Sequence, residues 1–264
     1  MVILQTGNYS GQILDPRQAD GLLIGRTVYQ PQTAQSPWHY HQNAHISFLL
    51  QGRCQEQKQP GVSIHRTAGD IVFMHAGQAH QITTTVFPSQ NLNVEISRAF
   101  LSRFDLQEST CNQTLATHPF ARVLLVNLYR EWTRQDALDP ACAMLLLDLI
   151  GSSPDTFSAR QPTWMRLAEQ RLRDQWQIPP TLAELASLAQ VHPVTLSKGF
   201  HKYKGCTLGT YLRRLKIEQA IGLIHTAKNS LSEIAFLCGF ADQSHFIRTF
   251  RELTGLLPSA YKKW

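Results

Sequence analysis

At 264 residues the chain has the length of about two ordinary domains. Hydrophobic residues make up 43% and charged residues 17%, which excludes a disordered chain and supplies a sizeable core. The net charge of +6 is unevenly spread: from Gln161 onward 14 Lys and Arg stand against 7 Asp and Glu, while the first 160 residues carry 11 against 12. A basic half joined to a neutral one points to a polyanion-binding module attached to a second module of different purpose. No apolar stretch runs to 18 residues without interruption, so no transmembrane helix is expected, and the opening residues lack the regions of a secretory signal. Five scattered cysteines without a CxxC pair read as free thiols of a cytoplasmic protein.

In chain order, the first elements are short β segments: LLIGRTVY (22–29), HISFLL (45–50), DIVFMH (70–75), HQITTTV (80–86) and NLNVEIS (91–97). Stretches such as QGR and PGV are expected to turn the chain between them. Short strands at this spacing without intervening helices predict a small barrel or sandwich. From Pro119 the period changes, and Phe120, Leu124, Leu128 and Trp132 recur at i+4 as the stripe of an amphipathic helix. DPACAMLLLDLIG (139–151) follows as a second helix, apolar nearly all round, which something must cover: its own barrel or a second subunit. The stripe and this helix make 119–150 a candidate dimerisation element and a homodimer an expected assembly. GSSPDTFSARQPT (151–163) reads as a linker, and everything after it as helical, beginning with WMRLAEQRLRDQW (164–176). The predicted fold is therefore α+β in two domains, with boundaries at 1–118, 119–150, 151–163 and 164–264.

The basic half repeats itself at an offset of about 50 residues, TLAELASLAQVHPVTLSKGFHKYKG (181–205) and SLSEIAFLCGFADQSHFIRTFRELTG (230–255). Each copy opens with a capping box, Thr181-x-x-Glu184 and Ser230-x-x-Glu233, and continues with a branched and a small residue, Leu185-Ala186 and Ile234-Ala235. After a turn comes a second helix with apolar residues four apart, Leu196/Phe200 and Phe246/Phe250, closed by Gly205 and Gly255. Short helix, tight turn, basic second helix: this is a helix-turn-helix, present twice. The helix between the copies, LGTYLRRLKIEQAIGLI (208–224), is about 25 Å long at 1.5 Å per residue. It would hold two recognition helices about one DNA turn apart, on the order of 34 Å.

The segment 164–264 resembles the DNA-binding domain of AraC-type (AraC/XylS) transcription regulators. The residues that carry the resemblance are Leu185-Ala186, Leu196, Phe200, Gly205, Tyr211 to Ala220, Ile234-Ala235, Gly239-Phe240, Ser244, Phe246, Phe250, Gly255, Pro258 and Tyr261. Two positions depart from the pattern: Gln190 stands where a turn glycine is common, and Gly199 lies inside the first recognition helix. The resemblance implies double-stranded DNA and RNA polymerase as partners. It also implies that Val194, Ser197 and Lys198 of the first helix, and Gln243, Ser244, His245 and Arg248 of the second, face bases. Arg or Lys can donate to guanine and Gln can pair with adenine, whereas Val194 can only pack on a thymine methyl. His201, Lys202, Arg213, Arg214, Lys216 and Arg251 are the corresponding phosphate contacts.

The neutral half carries WHYHQNAHISFLLQG (38–52), in which His39, His41 and His45 share parity and on a continuous strand would point to one face. The spacing HxHx3Hx6G, ending at Gly52, resembles the first motif of cupin β-barrels, with His45 where that fold usually places a glutamate. GDIVFMHAGQAH (69–80) resembles the second, with Gly69, Gly77 and His80 as the expected last ligand; His75 replaces a usual proline and Thr84 a frequent asparagine. The resemblance implies a cupin-like sensor barrel over residues 20–97. Three roles are open to the four histidines: a transition-metal site for Zn, Ni, Cu or Fe, polar anchors for a small-molecule effector, or side chains satisfied by nearby backbone. No further acid/base constellation accompanies them, so a regulator is expected rather than an enzyme; a metal-dependent cupin enzyme fused to a DNA-binding domain is the alternative.

Overall fold

The computed structural model describes residues 1–59, 61–134, 140–151, 161–226 and 229–264. Its first part is one curled sheet of eight strands: β1 (Val2–Leu4), β2 (Gln12–Ala19), β3 (Leu22–Tyr29), β4 (His39–His41), β5 (Ala44–Lys58), β6 (Val62–Thr67), β7 (Ile71–Met74) and β8 (His80–Ile96). The order β1-β4-β8-β3-β2 is extended by β5, which pairs with β8, β6 and β7. The two long strands, of 15 and 17 residues, run antiparallel to each other and bend the sheet on itself. Leu22, Ile24, Ile46, Phe48, Leu92, Val94 and Ile96 line one face and are wholly buried.

Three strands, β1, β2 and β6, have no counterpart in the sequence expectation, and β4 is the detached start of the strand assumed through 39–45. The predicted strands 80–86 and 91–97 are a single strand with Pro88 in its middle. QGR is no turn. Gly52 sits inside β5 at φ +93°, where the register with β8 slips, and a Cβ there would lie 2.6 Å from the carbonyl oxygens of Val86 and Pro88. This is a bulge, which a glycine permits and which adds curvature. Pro16 in β2 also falls at a register slip, between Leu14 and Arg17, where no ladder amide is needed.

Two short helices, α1 (Arg98–Arg103) and α2 (Glu108–Thr117), lead from the sheet to α3 (Ala121–Arg134) and α4 (Pro140–Ile150). The stripe predicted on α3 is occupied within the chain: Leu128 and Trp132 are buried, with Val123, Leu125, Val126 and Tyr129 beside them, and Phe120 and Leu124 are packed against the same core. Leu128 and Trp132 of the stripe are therefore core, while Phe120 and Leu124 keep partial exposure. α4 is covered by α3 and α2 rather than by the barrel, and buries Cys142, Leu146, Leu149 and Ile150. Residues 152–160 of the expected linker lie outside the described residues.

The basic half is all helical: α5 (Thr163–Asp174), α6 (Leu182–Leu188), α7 (Pro193–Lys204), α8 (Leu208–Thr226), α9 (Leu231–Leu237), α10 (Gln243–Thr254) and α11 (Pro258–Tyr261). Among the described residues no helix is long and apolar enough to cross a membrane. The apolar side chains form two clusters. One joins the sheet through α3 to Ile217, Ile221 and Ile224 of α8 and to Phe246, Phe250 and Tyr261. The other, Met165, Leu172, Leu185, Leu196, Phe200, Tyr211 and Leu215, joins the first repeat to the helices on either side of it, with Phe120 of the connector packed against its edge.

Candidate nucleic-acid interface and histidine site

Both repeats fold as the sequence predicts. Thr181 Oγ1 accepts from Glu184 N at 3.3 Å while Glu184 accepts from Thr181 N at 2.8 Å, and Ser230 with Glu233 repeats the box at 3.2 and 2.7 Å. Gln190 adopts φ +54° and Gly239 φ +70°, so the turn has the same left-handed residue in both copies despite the missing glycine. The two second helices start on different caps, His192 with Pro193 behind it for α7 and Asp242 for α10, and both stop at a left-handed glycine, Gly205 and Gly255. Gly199 has a packing reason. A Cβ there would stand 2.4 Å from the ring of Trp164, which reaches from α5 across α7 and packs against the cluster around the first repeat.

Val194, Ser197 and Lys198 of α7 are exposed, as are Gln243, Ser244 and Arg248 of α10; His245 is half-buried with its ring edge-on to Phe240. Two helices of the same class thus each present a polar, outward face. Of the expected phosphate contacts, His201, Lys202 and Arg251 are exposed and Arg213 is half-buried. Arg214 lies over the Phe120 ring, and Lys216 donates to the Gly239 carbonyl across the turn of the second repeat, so both are engaged within the protein.

The histidines come from three strands. β4 and β5 are separate, broken at Gln42-Asn43, so the continuous strand assumed for 39–45 does not exist. The rings nevertheless converge, because His39 pairs in register with His80 and β4 runs into β5. His39, His41 and His80 are all buried and each places a ring nitrogen within 4.8 Å of the others. His45 stands edge-on to His41, ring centroids 4.3 Å apart, with its Nδ1 buried and without a hydrogen-bond partner. Nδ1 of His39 meets the Pro37 carbonyl at 2.8 Å and Nδ1 of His80 meets the Gln78 carbonyl at 3.0 Å. A carbonyl accepts only, so each Nδ1 carries the proton and each Nε2 presents a lone pair. Burial pushes His41 down to about 3 and, against the help of the Gln78 carbonyl, His80 down to about 4; it also lowers His39 and His45. At neutral pH these are uncharged imidazoles, the form that binds a metal.

The chamber around them is small, about 40 Å³, and polar. Arg66 pairs with Glu56 at 3.5 Å and donates to Ser47 O at 2.8 Å; Asn91 donates to Ser47 Oγ and Asn93 to Thr27 Oγ1. Tyr9 closes the mouth, its ring 5.3 Å from that of His41 and its hydroxyl donating to Glu95, which also accepts from Gly7 N and Asn43. Sequence reasoning missed all of these. The signal existed in β8, where Asn91, Asn93 and Glu95 alternate with Leu92, Val94 and Ile96, but such alternation ordinarily marks a solvated face.

Residues 185–263 match the family model of the helix-turn-helix domain. This segment is a helix-turn-helix domain. The helix-turn-helix match covers most of both repeats, including both recognition helices. Relatives extend beyond it. The transcriptional activator RhrA of Rhizobium meliloti (strain 1021) is 24% identical over 76% of this chain and 68% of its own length. The protein named "Probable transcriptional regulator LumQ", from Photobacterium leiognathi, is 25% identical over 85% of this chain and 91% of its own. Among solved structures, ToxT from Vibrio cholerae is 14% identical over 91% of this chain and 98% of its own, with a TM-score of 0.36.

Proposed function

We propose that this protein is a sequence-specific, double-stranded-DNA-binding transcription regulator whose cupin-like front sheet senses a ligand at the histidine cluster. The observation that carries the DNA reading is the pair of recognition helices with Val194, Ser197, Lys198, Gln243, Ser244 and Arg248 exposed on helix-turn-helix units whose capping boxes and turns correspond. Arg248 suits bidentate readout of guanine, and Lys202 a phosphate. In a duplex selected from a random pool, Arg248→Ala should cost about 1–3 kcal/mol and relax choice at one base pair, while Lys202→Ala should weaken every sequence alike. Equal losses on selected and random duplex for Arg248→Ala would remove that residue from base readout.

Of the three roles for the histidines, the chamber size favours an ion. About 40 Å³ is room for little more than one water, too little for a sugar-sized effector without rearrangement. Two ring orientations are already fixed by carbonyls behind the rings, as metal-binding histidines require. His39, His41 and His80 would hold a Zn-, Ni-, Cu- or Fe-type ion, with His45 beside His41. Such an ion would supply the differential binding by which a sensor shifts between two domain arrangements. Elemental analysis of untagged protein should find about one equivalent per chain, abolished by His41→Ala. Absence of metal from the wild type, with no thermal shift on adding Zn or Ni, would transfer the same side chains to a small polar effector.

A further inference from the structure

α3 starts without a cap of its own. A helix N-terminus leaves its first amides unpaired, and the residues before Ala121 are His118, Pro119 and Phe120, of which the last, at the cap position, has no side-chain acceptor. The missing acceptor arrives from the basic half. Glu218 on α8, itself 5% exposed, accepts from Arg122 N at 2.9 Å and from Val123 N at 3.0 Å. The Arg122 guanidinium stands 3.5 Å from the same carboxylate and donates through Nε to the Gly69 carbonyl, in the turn between β6 and β7, at 2.6 Å. Gly69 in turn lies against Gly222, one helical turn beyond Glu218: a Cβ on Gly69 would come within 2.8 Å of the Gly222 Cα. Sheet, connector and reader therefore meet at one carboxylate.

Farther along α3 the grip continues on the second repeat. Asn127 donates to Leu253 O at 3.0 Å and Arg130 to Thr254 O at 2.7 Å, at the C-terminal end of α10. None of these contacts involves Gln243, Ser244 or Arg248, which stay exposed. The front half does not mask the reading face. It holds the reader from behind.

We propose that Glu218 is the positioning residue through which the front half fixes the setting of the two recognition helices on α8, an interdomain cap that favours DNA binding by ordering the reader in advance. The inference rests on the reading that this chain binds duplex DNA with two heads. Ordering before association lowers the entropic cost paid on binding and leaves the contacts themselves unchanged. Movement of the α3 N-terminus, or of the turn at Gly69, would release the cap and reach the DNA face as looseness rather than as a steric block.

The test uses the full chain and a duplex selected by the wild type from a random pool. Glu218→Ala, and Glu218→Asp, whose side chain is one methylene too short, should each weaken that duplex about tenfold with the slope against salt unchanged. Glu218→Gln, which keeps an acceptor at the same reach, should stay within about threefold of wild type. Hydrogen exchange at the amides of Arg122 and Val123 should accelerate by about a hundredfold in the Ala and Asp variants, while protection in α7 and α10 is retained. If Glu218→Ala fails to fold, Glu218→Asp carries the same comparison. Wild-type affinity together with wild-type exchange in the Asp variant, or a changed salt slope, overturns the proposal. Failure of the wild type to select any duplex would instead overturn the DNA reading on which it stands.

Discussion

The two helix-turn-helix units are near copies in sequence and unequal in attachment. Capping boxes, left-handed turn residues and glycine stops coincide. The first unit, however, keeps a cluster of its own, with Trp164 laid over Gly199 and only Phe120 of the connector at its edge, whereas the second shares one apolar cluster with α3 and the front sheet. A repeat in sequence specifies the shape of the unit, not what the unit is fastened to. Fastening is decided on the outward faces of the helices, where Ile217 and Glu218 of α8 and Leu253 of α10 meet the connector.

The sharpest way to break this comparison is to remove an equivalent ring from each unit. Phe200 and Phe250 are both fully buried, and replacing either by Ala should cost about 3–5 kcal/mol. The distribution should differ. Phe200→Ala should raise hydrogen exchange across α5 to α7 and leave the sheet protected; Phe250→Ala should loosen α3 and the sheet together with α10. Equal spread of the two effects would show the clusters to be one cooperative body.

A gentler probe is acid. His41, His80 and His225, all in the part of the molecule that contains the sheet and the second unit, are lowered by burial to about 3, about 4 and about 4. Their unfolded forms take up protons near 6.5 and the folded forms do not, so stability is lost as pH falls through 6.5 toward 4. Each contributes at most about 1.4 kcal/mol per pH unit. Glu218 opposes them: burial raises it to about 7 in spite of Arg122 and two amides, so folding binds its proton between about 7 and 4.5 and gains stability as pH falls. One group against three leaves a net loss, and thermal melts from pH 7 to 5 should show the sheet and second unit weakening ahead of the first. Parallel weakening of both units would remove the distinction.

Much of this was legible from residue order. Thr181 with Glu184, Ser230 with Glu233 and the terminal glycines fixed both units to within a residue or two, because caps are local physics. Gln190 showed that a turn can keep its left-handed residue without glycine, at some cost in strain. The front half was harder for physical reasons. α2 buries only Cys111, Thr114 and Leu115 and so has no apolar stripe to read. Gly52 and Pro88 look like strand breakers but serve a bulge and a bend inside long strands. The four histidines were found by spacing, yet Glu56, Arg66 and Asn93 were not, since nothing in a single strand distinguishes a polar chamber from solvent. The cap of α3 was invisible, its acceptor lying about 95 residues downstream.

The contact between Gly69 and Gly222 has a consequence for anyone rebuilding this molecule. Exposed turns of a sheet usually accept grafted peptides and insertions without complaint. The turn at 67–70 belongs to another class: its backbone presses on the backbone of α8, and Thr67 and Asp70 brace it from either side. The turn at Gly61, where an added Cβ meets nothing within 4 Å, should take inserted loops freely. A single extra methyl at residue 69 would wedge the reader away from the sheet.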